Sequence, residues 1–127
     1  MQKFLLTYLI FLFSLPILLS QSSVLERTLH TNWTFQAKNS NNWFPATVPG
    51  CVHTDLMTNG IIEDPFYRLN ESKVQWVDKK DWIYQNIFEV NEDEIELQNH
   101  ELRFEGLDTY ATVYLNDSII LESNNMH

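Results

Sequence analysis

Alternating apolar and polar positions dominate the second half of the chain and predict β-strands there. In residues 100–105 the apolar side chains fall on one face and the charged ones on the other, as in a half-buried strand. Residues 109–115 carry bulk on both faces, which favours a strand covered on both sides. Asn116-Asp117 then predicts a hairpin turn, because both residues tolerate positive φ, and residues 118–122 form the returning strand.

Shorter aromatic patterns predict the remaining strands. Residues 33–37 and 43–47 are candidate strands separated by a polar run, and residues 82–90 predict a longer strand followed by an acidic turn at 91–94. Residues 51–58 predict a short helix, stopped by an Asn-Gly pair. One helical turn is expected near residues 74–77, inside a mostly irregular segment.

About six short strands joined by turns indicate an all-β fold, a sandwich or jelly roll. A jelly roll uses about eight strands, and this chain stops directly after a predicted strand. We therefore expect the sandwich to be incomplete at the C-terminus and the chain to be an N-terminal fragment of a longer protein.

The first 22 residues have the pattern of a signal peptide. Lys3 precedes an apolar stretch, and small residues follow, so that cleavage after Ser22 places Ser20 at the −3 position. Cleavage after Ser20 is the alternative, and an uncleaved membrane anchor is disfavoured by the short stretch and by Pro16. The mature chain, residues 23–127, is then expected in the secretory pathway or outside the cell.

The charge balance excludes several classes of partner. The chain has 127 residues with 17 acids and 8 bases, a net charge of −9, and no basic run. Binding to nucleic acid or to an anionic membrane surface requires a cationic face, so neither is expected. The single cysteine, Cys51, excludes an internal disulfide framework. It either pairs with a cysteine outside this segment or stays a buried thiol, and the buried thiol is favoured. Its neighbours Val52, Thr54 and Asp55 give no reason to expect a lowered pKa.

Three Asn-x-Ser/Thr sequons begin at Asn32, Asn70 and Asn116. Each is a candidate glycosylation site in a secreted chain. Asn116 lies at the predicted hairpin tip, which favours it over Asn32, and both over Asn70.

Several blocks of the mature chain match a known family in order and spacing. They are Val48-Pro49-Gly50-Cys51-Val52-His53, Asp64-Pro65-Phe66-Tyr67-Arg68-Leu69-Asn70-Glu71, Trp76-Val77, Asp81-Trp82-Ile83-Tyr84, residues 102–111, residues 113–116 and Asn124-Asn125-Met126. Over residues 32–127 the chain resembles the N-terminal domain of β-mannosidases of glycoside hydrolase family 2. Asp117 departs from the family, which usually has glycine at that position.

The resemblance implies a galactose-binding-like jelly roll followed by immunoglobulin-like sandwiches and a TIM barrel. It implies a retaining β-mannosidase that removes terminal β-linked mannose from oligosaccharides, without a cofactor, using two barrel glutamates beyond His127. Two alternatives stay open. One is a stand-alone secreted carbohydrate-binding module, and the other is a different family 2 glycosidase, a β-glucuronidase or β-galactosidase.

No catalytic residue and no metal site is expected in this chain. Four loop carboxylates, Asp64, Glu71, Asp78 and Asp81, are expected to form caps and turns or to face solvent. The four histidines are scattered without metal-ligand spacing.

The segment from Asp64 to Glu71 combines aromatic and charged residues, which is unusual for a free surface loop. It predicts a contact with the rest of the same polypeptide, with Arg68, Asn70, Glu71 and Trp76 as interface candidates. An internal loop clamp by Arg68 is the alternative. All four tryptophans could also stack on sugar rings, namely Trp33, Trp43, Trp76 and Trp82. Core packing is favoured for Trp82.

Overall fold

The computed structural model describes residues 24–124, which divide into two compact units. The first ends at Asn86 and the second begins at Ile87. The predicted signal peptide, residues 1–22, lies outside the described residues, as do residues 125–127.

The first unit contains a three-stranded antiparallel sheet. Its strands are β1 (Thr34–Ala37), β2 (Phe44–Pro45) and β3 (Trp82–Gln85), in the order β2-β1-β3. All three strands were expected, but β3 ends at Gln85 rather than at residue 90. Gln85 pairs with Thr34, the first residue of β1, so the partner strand runs out at that point. Residues 86–90, the rest of the predicted strand, therefore have no partner in β1 for backbone hydrogen bonds.

The core of the first unit is centred on the aromatic ring of Phe35. This side chain is fully buried together with Leu56 and Val77, and the buried Val74 packs in the same cluster. Rings from the neighbouring strands surround it, with centroid distances of 6.0 Å to Phe44, 5.8 Å to Trp82 and 5.5 Å to Tyr84. Trp82 therefore packs in the core, as predicted. Burying a phenylalanine contributes about 1.5–3 kcal/mol, so Phe35 holds the sheet and the helical segments together.

Helix α1 (Val52–Thr58) covers this core and matches its prediction. Leu56 points into the core, and the helix ends at Asn59-Gly60, where Gly60 has a φ of 67°. Glycine takes this left-handed conformation without a steric penalty, which is why the pair ends the helix.

Two short helical segments follow, α2 (Glu71–Val74) and a 3-10 turn (Val77–Lys79). We predicted one helical turn at residues 74–77. The structure has two short segments instead, one ending at Val74 and the other beginning at Val77. Each supplies one core side chain, Val74 and Val77, which explains why these two apolar positions formed the visible pattern.

The second unit begins with α3 (Glu92–Ile95), where a solvated acidic turn was expected. Asn91 and Glu94 cap the helix reciprocally: the backbone N–H of each donates to the other's side chain at 2.8 Å. This capping box satisfies two otherwise unpaired donors, so the acidic run forms a helical turn.

A hairpin completes the second unit. Strand β4 (Ala111–Leu115) pairs antiparallel with β5 (Ser118–Ser123). Asn116 and Asp117 connect them with φ values of 47° and 65°, as a two-residue type I′ turn requires. The hairpin prediction is confirmed. Coverage of β4 on both faces is not seen within this unit, where alternate β4 side chains are exposed.

The prediction of a strand at residues 100–105 is wrong. Residues 101–104 have no assigned secondary structure, and the apolar side chains Leu102 and Phe104 are exposed. Sequence alternation defines the two faces of a strand but supplies no partner, and no described strand pairs with this segment.

Candidate functional site

The first unit has an open surface depression of about 590 Å³. The residues that line it come from the segment after α1 and from α2. The depression brings together side chains of opposite charge and one aromatic ring: Glu63, Asp64, Tyr67, Arg68, Asn70 and Lys73. Arg68 and Asn70 were predicted as interface candidates, and the fold places both here. Glu71 and Trp76, the other two candidates, do not line the depression.

The backbone of residues 64–70, which we call the Arg68 loop, is held by hydrogen bonds to one aspartate. Oδ1 of Asp64 accepts from the N–H of Phe66 at 2.9 Å, and the carbonyl of Asp64 accepts from the N–H of Tyr67 at 3.1 Å. The side-chain amide of Asn70 donates to the same carbonyl at 3.1 Å. Asn70 is 7% exposed, so it closes the loop from beneath.

Arg68 occupies the exposed outer side of the Arg68 loop. Its φ of 55° is left-handed, a conformation uncommon for a residue with a long side chain. Its guanidinium lies 5.1 Å from the ring centroid of Tyr67, close enough for a cation–π contact. Within residues 24–124 the guanidinium has no carboxylate partner, so the internal clamp considered above is not seen in this part of the chain.

Trp76 and Glu71 lie at the edges of the helical segments beyond the loop. Trp76 is half-buried, with its ring centroid 6.1 Å from that of Trp82 and the ammonium of Lys80 4.8 Å from its own centroid. Glu71 begins α2 and is exposed. Trp76 thus contributes to packing with one part of its ring and is covered by a cation on another.

A buried carboxylate that the sequence analysis did not single out links three elements of the first unit. Asp55 on α1 is 2% exposed, and its Oδ1 accepts from the N–H of Thr47 at 2.9 Å. Its Oδ2 accepts from the hydroxyl of Tyr84 on β3 at 2.8 Å. Burial, followed by the hydrogen bond to Asp55, raises the pKa of Tyr84 well above its usual range. Both oxygens of Asp55 are engaged, which is a structural role.

The sequence carried a signal for this site. Asp55 follows Val52 by three residues and lies at the edge of the apolar face of α1, and an acid that is buried there requires hydrogen-bond donors.

Cys51 departs from its predicted environment. It is exposed at the residue preceding α1, because a helix begins there at the surface. Hydrogen bonds from the backbone and the hydroxyl of Thr54 lower the pKa of the Cys51 thiol, with partial burial acting against them. The expectation of a buried thiol with no cause for a low pKa is therefore wrong.

The loop carboxylates are engaged separately. Asp81 forms an ion pair with Lys38 at 3.1 Å, and Asp78 lies 3.8 Å from Nε2 of His53. Asp64 stabilises its own loop. Within residues 24–124 no group of three or more metal-binding side chains comes together, and no helix is long and apolar enough to cross a membrane.

Comparison with known proteins identifies the family. Residues 33–127 match the family described as glycosyl hydrolase 2 galactose-binding domain-like. The chain belongs to this family, and its fold class is all-β and galactose-binding-like, as expected.

The individual relatives are β-mannosidases. The β-mannosidase of Bos taurus is 38% identical over 105 residues, which is 83% of this chain and 12% of the relative. β-Mannosidase B of Aspergillus terreus is 38% identical over 109 residues, 83% of this chain and 13% of the relative. The crystal structure of the β-D-mannosidase from Dictyoglomus thermophilum superposes with a TM-score of 0.72 at 49% identity, covering 74% of this chain and 12% of that one. The chain thus spans about 12% of the length of these relatives.

Proposed function

We propose that this chain is the N-terminal, non-catalytic part of a β-mannosidase that removes terminal β-linked mannose from oligosaccharides. The observation that carries the proposal is the likeness to the Dictyoglomus thermophilum β-D-mannosidase, 49% identical over 74% of this chain. Relatives from a mammal and a fungus bear the same activity in their names, which supports β-mannosides over β-galactosides or β-glucuronides.

The side-chain chemistry supports catalysis elsewhere in the polypeptide. Retaining glycosidases use two carboxyl groups about 5 Å apart that flank the scissile bond. Asp55 is buried with both oxygens occupied, and Asp78 and Asp81 each lie beside a basic side chain. Asp55 therefore has no free oxygen for a reacting sugar. The two catalytic glutamates are assigned to the part of the protein beyond residue 127, and no cofactor is required.

The protein is proposed to enter the secretory pathway and to work in the lysosome or outside the cell. Residues 1–22 have the composition of a signal peptide. Two of the three sequons, at Asn32 and Asn116, are exposed in the structure, which supports a glycoprotein.

An activity assay with three substrates tests the proposal. The product of the complete reading frame and a protein of residues 23–127 are incubated with chromogenic β-mannoside, β-galactoside and β-glucuronide. The complete protein is expected to hydrolyse the β-mannoside, and residues 23–127 are expected to hydrolyse none. Turnover by residues 23–127 would contradict the non-catalytic role, and preference for another glycoside would replace the substrate. A reading frame that stops at residue 127 would favour the carbohydrate-binding module.

A further inference from the structure

We propose that the Arg68 loop is a docking surface for a carboxylate-bearing apolar patch on the remainder of the same polypeptide. The inference rests on the proposed function, because that function places most of the protein outside this chain. The chemistry of the loop defines the partner surface. That surface should carry an acidic side chain that binds Arg68, and apolar side chains around it that contact Phe66, Tyr67 and Leu69.

The first argument is the apolar surface of the loop. Phe66 is 95% exposed, Leu69 82% and Tyr67 57%, so three large apolar side chains within four residues face solvent. Single exposed apolar residues are ordinary, but contiguous ones mark interaction sites. Aromatic residues and arginine are also the types enriched at the centres of protein interfaces.

The second argument is that hydrogen bonds fix the backbone of the loop while its large apolar side chains face solvent. Hydrogen bonds to Asp64 fix the backbone at Phe66 and Tyr67, and Asn70 closes the loop from its buried side. A backbone already in its bound conformation loses less conformational entropy on association. Phe66 is therefore exposed on a fixed backbone, in a position to contact a partner.

The third argument is charge complementarity. Two lysines of the first unit have carboxylate partners: Lys73 pairs with Glu63 at 3.2 Å, and Lys38 pairs with Asp81 at 3.1 Å. Within residues 24–124, Arg68 has a cation–π contact with Tyr67 but no carboxylate partner. A guanidinium binds a carboxylate through two parallel hydrogen bonds, a geometry that favours arginine at interfaces. The partner surface should therefore present an aspartate or glutamate.

Two observations favour the same polypeptide over a second copy of this chain. The chain covers about 12% of the length of its β-mannosidase relatives, so a protein of that length has ample surface to cover the loop. This chain also carries a net charge of −9, and two such copies would repel each other. An intrachain partner avoids this repulsion and is present at high effective concentration.

Photo-crosslinking in the full-length protein tests the docking. A photoreactive benzoylphenylalanine replaces Phe66, and in a control protein it replaces Tyr110, a largely exposed aromatic residue of the second unit. We expect the probe at position 66 to crosslink within one molecule to a peptide beyond residue 127. Adding Arg68→Ala should lower the yield about ten-fold or more, the factor that corresponds to the weaker end of one hydrogen bond to a charged group. Arg103→Ala, which alters an exposed arginine in the second unit, should leave the yield unchanged.

Three results would overturn the proposal. A crosslink between two molecules would assign the loop to a second copy, and one within residues 23–127 would show that the chain covers its own loop. A yield no higher than that of the same sample without illumination would make the loop a free surface. β-Mannoside turnover is measured on the same samples without illumination. A crosslink without turnover would therefore refute only the proposed function, and turnover without a crosslink only the docking.

Discussion

The hydroxyl of Tyr84 donates a 2.8 Å hydrogen bond to Oδ2 of Asp55, joining the last strand of the first unit to its main helix. The other carboxylate oxygen accepts from the backbone of Thr47 in the segment before that helix. A buried carboxylate with a donor on each oxygen is satisfied, and loss of either donor would leave an unpaired charge-bearing atom.

Tyr84→Phe should therefore destabilise the first unit locally. The substitution keeps the ring that stacks against Phe35 but removes the hydroxyl, which should cost roughly 1–3 kcal/mol. Hydrogen exchange measured by mass spectrometry on the full-length protein reports the local opening of β3 and α1. Tyr110→Phe, at a largely exposed tyrosine, is the matched control and should leave this exchange unchanged. Equal exchange in the two variants would remove the structural role of the hydrogen bond.

The raised pKa of Tyr84 predicts a loss of stability at alkaline pH. Below pH about 10 the phenol is protonated in both the folded and unfolded states, so the full contribution is present. Above that pH the unfolded state releases the proton while the folded state retains it, because burial and Asp55 raise the folded pKa. Stability should thus fall as pH rises. The difference in melting temperature between the native protein and Tyr84→Phe should narrow from pH 8 to 11, and a constant difference would contradict the shift.

The left-handed turn at Asn116-Asp117 predicts opposite effects for two substitutions. Asp117 has a φ of 65°, where glycine is unstrained and a β-branched residue is not. Asp117→Gly should slow hydrogen exchange of β4 and β5, corresponding to a gain of about 0.5 kcal/mol, and Asp117→Val should accelerate it. Both variants keep the Asn116 sequon. The same direction of change in both would show that turn conformation does not limit hairpin opening.

Glycan occupancy should differ among the three sequons. Asn116 and Asn32 are exposed, whereas the Nδ2 atom of Asn70, which would carry the sugar, donates to the carbonyl of Asp64 from a buried side chain. Glycopeptide mass spectrometry of the secreted full-length protein should find Asn116 and Asn32 occupied and Asn70 empty. High occupancy at Asn70 would reverse this order and would also argue against docking of the Arg68 loop.

Cys51 should be alkylated faster than an ordinary exposed thiol, because its lowered pKa increases the thiolate fraction. Thr54→Val removes one of the hydrogen bonds responsible and should slow the reaction with iodoacetamide at pH 7.5 by about two- to five-fold. Thr58→Val, which removes a hydroxyl that bonds to the helix backbone instead, serves as the control and should react at the native rate. A larger effect of Thr58→Val would indicate that helix fraying, and not the thiol environment, sets the rate.

Local chemical signals accounted for most of the elements that the sequence predicted correctly. The Asn59-Gly60 stop and the Asn116-Asp117 turn act through their own backbone preferences, so neither depends on distant contacts. α3 had such a signal as well, since Asn91 and Glu94 form an Asn-x-x-Glu capping pattern, but the acidity of the run was interpreted as a solvated turn.

Predictions that required knowledge of a partner were less successful. The segment 100–105 alternates like a strand, yet whether it pairs depends on another segment of the chain. Cys51 has an apolar neighbour, but its exposure is set by where α1 begins. In the same way, the charged and aromatic composition of the Arg68 loop identified it as unusual, while its rigid backbone and the buried Asn70 beneath it are consequences of the fold.

The two hydrogen bonds of Asp55 close chain loops of very different length. Thr47 lies 8 residues from Asp55, whereas Tyr84 lies 29 residues away. For flexible chains, closing the longer loop costs about 1 kcal/mol more in entropy than closing the shorter one. The carboxylate can thus be oriented by its near neighbour while the chain between α1 and β3 is still unfolded, and it then offers Tyr84 a fixed acceptor. A single aspartate thereby links a local turn to the long-range alignment of the sheet.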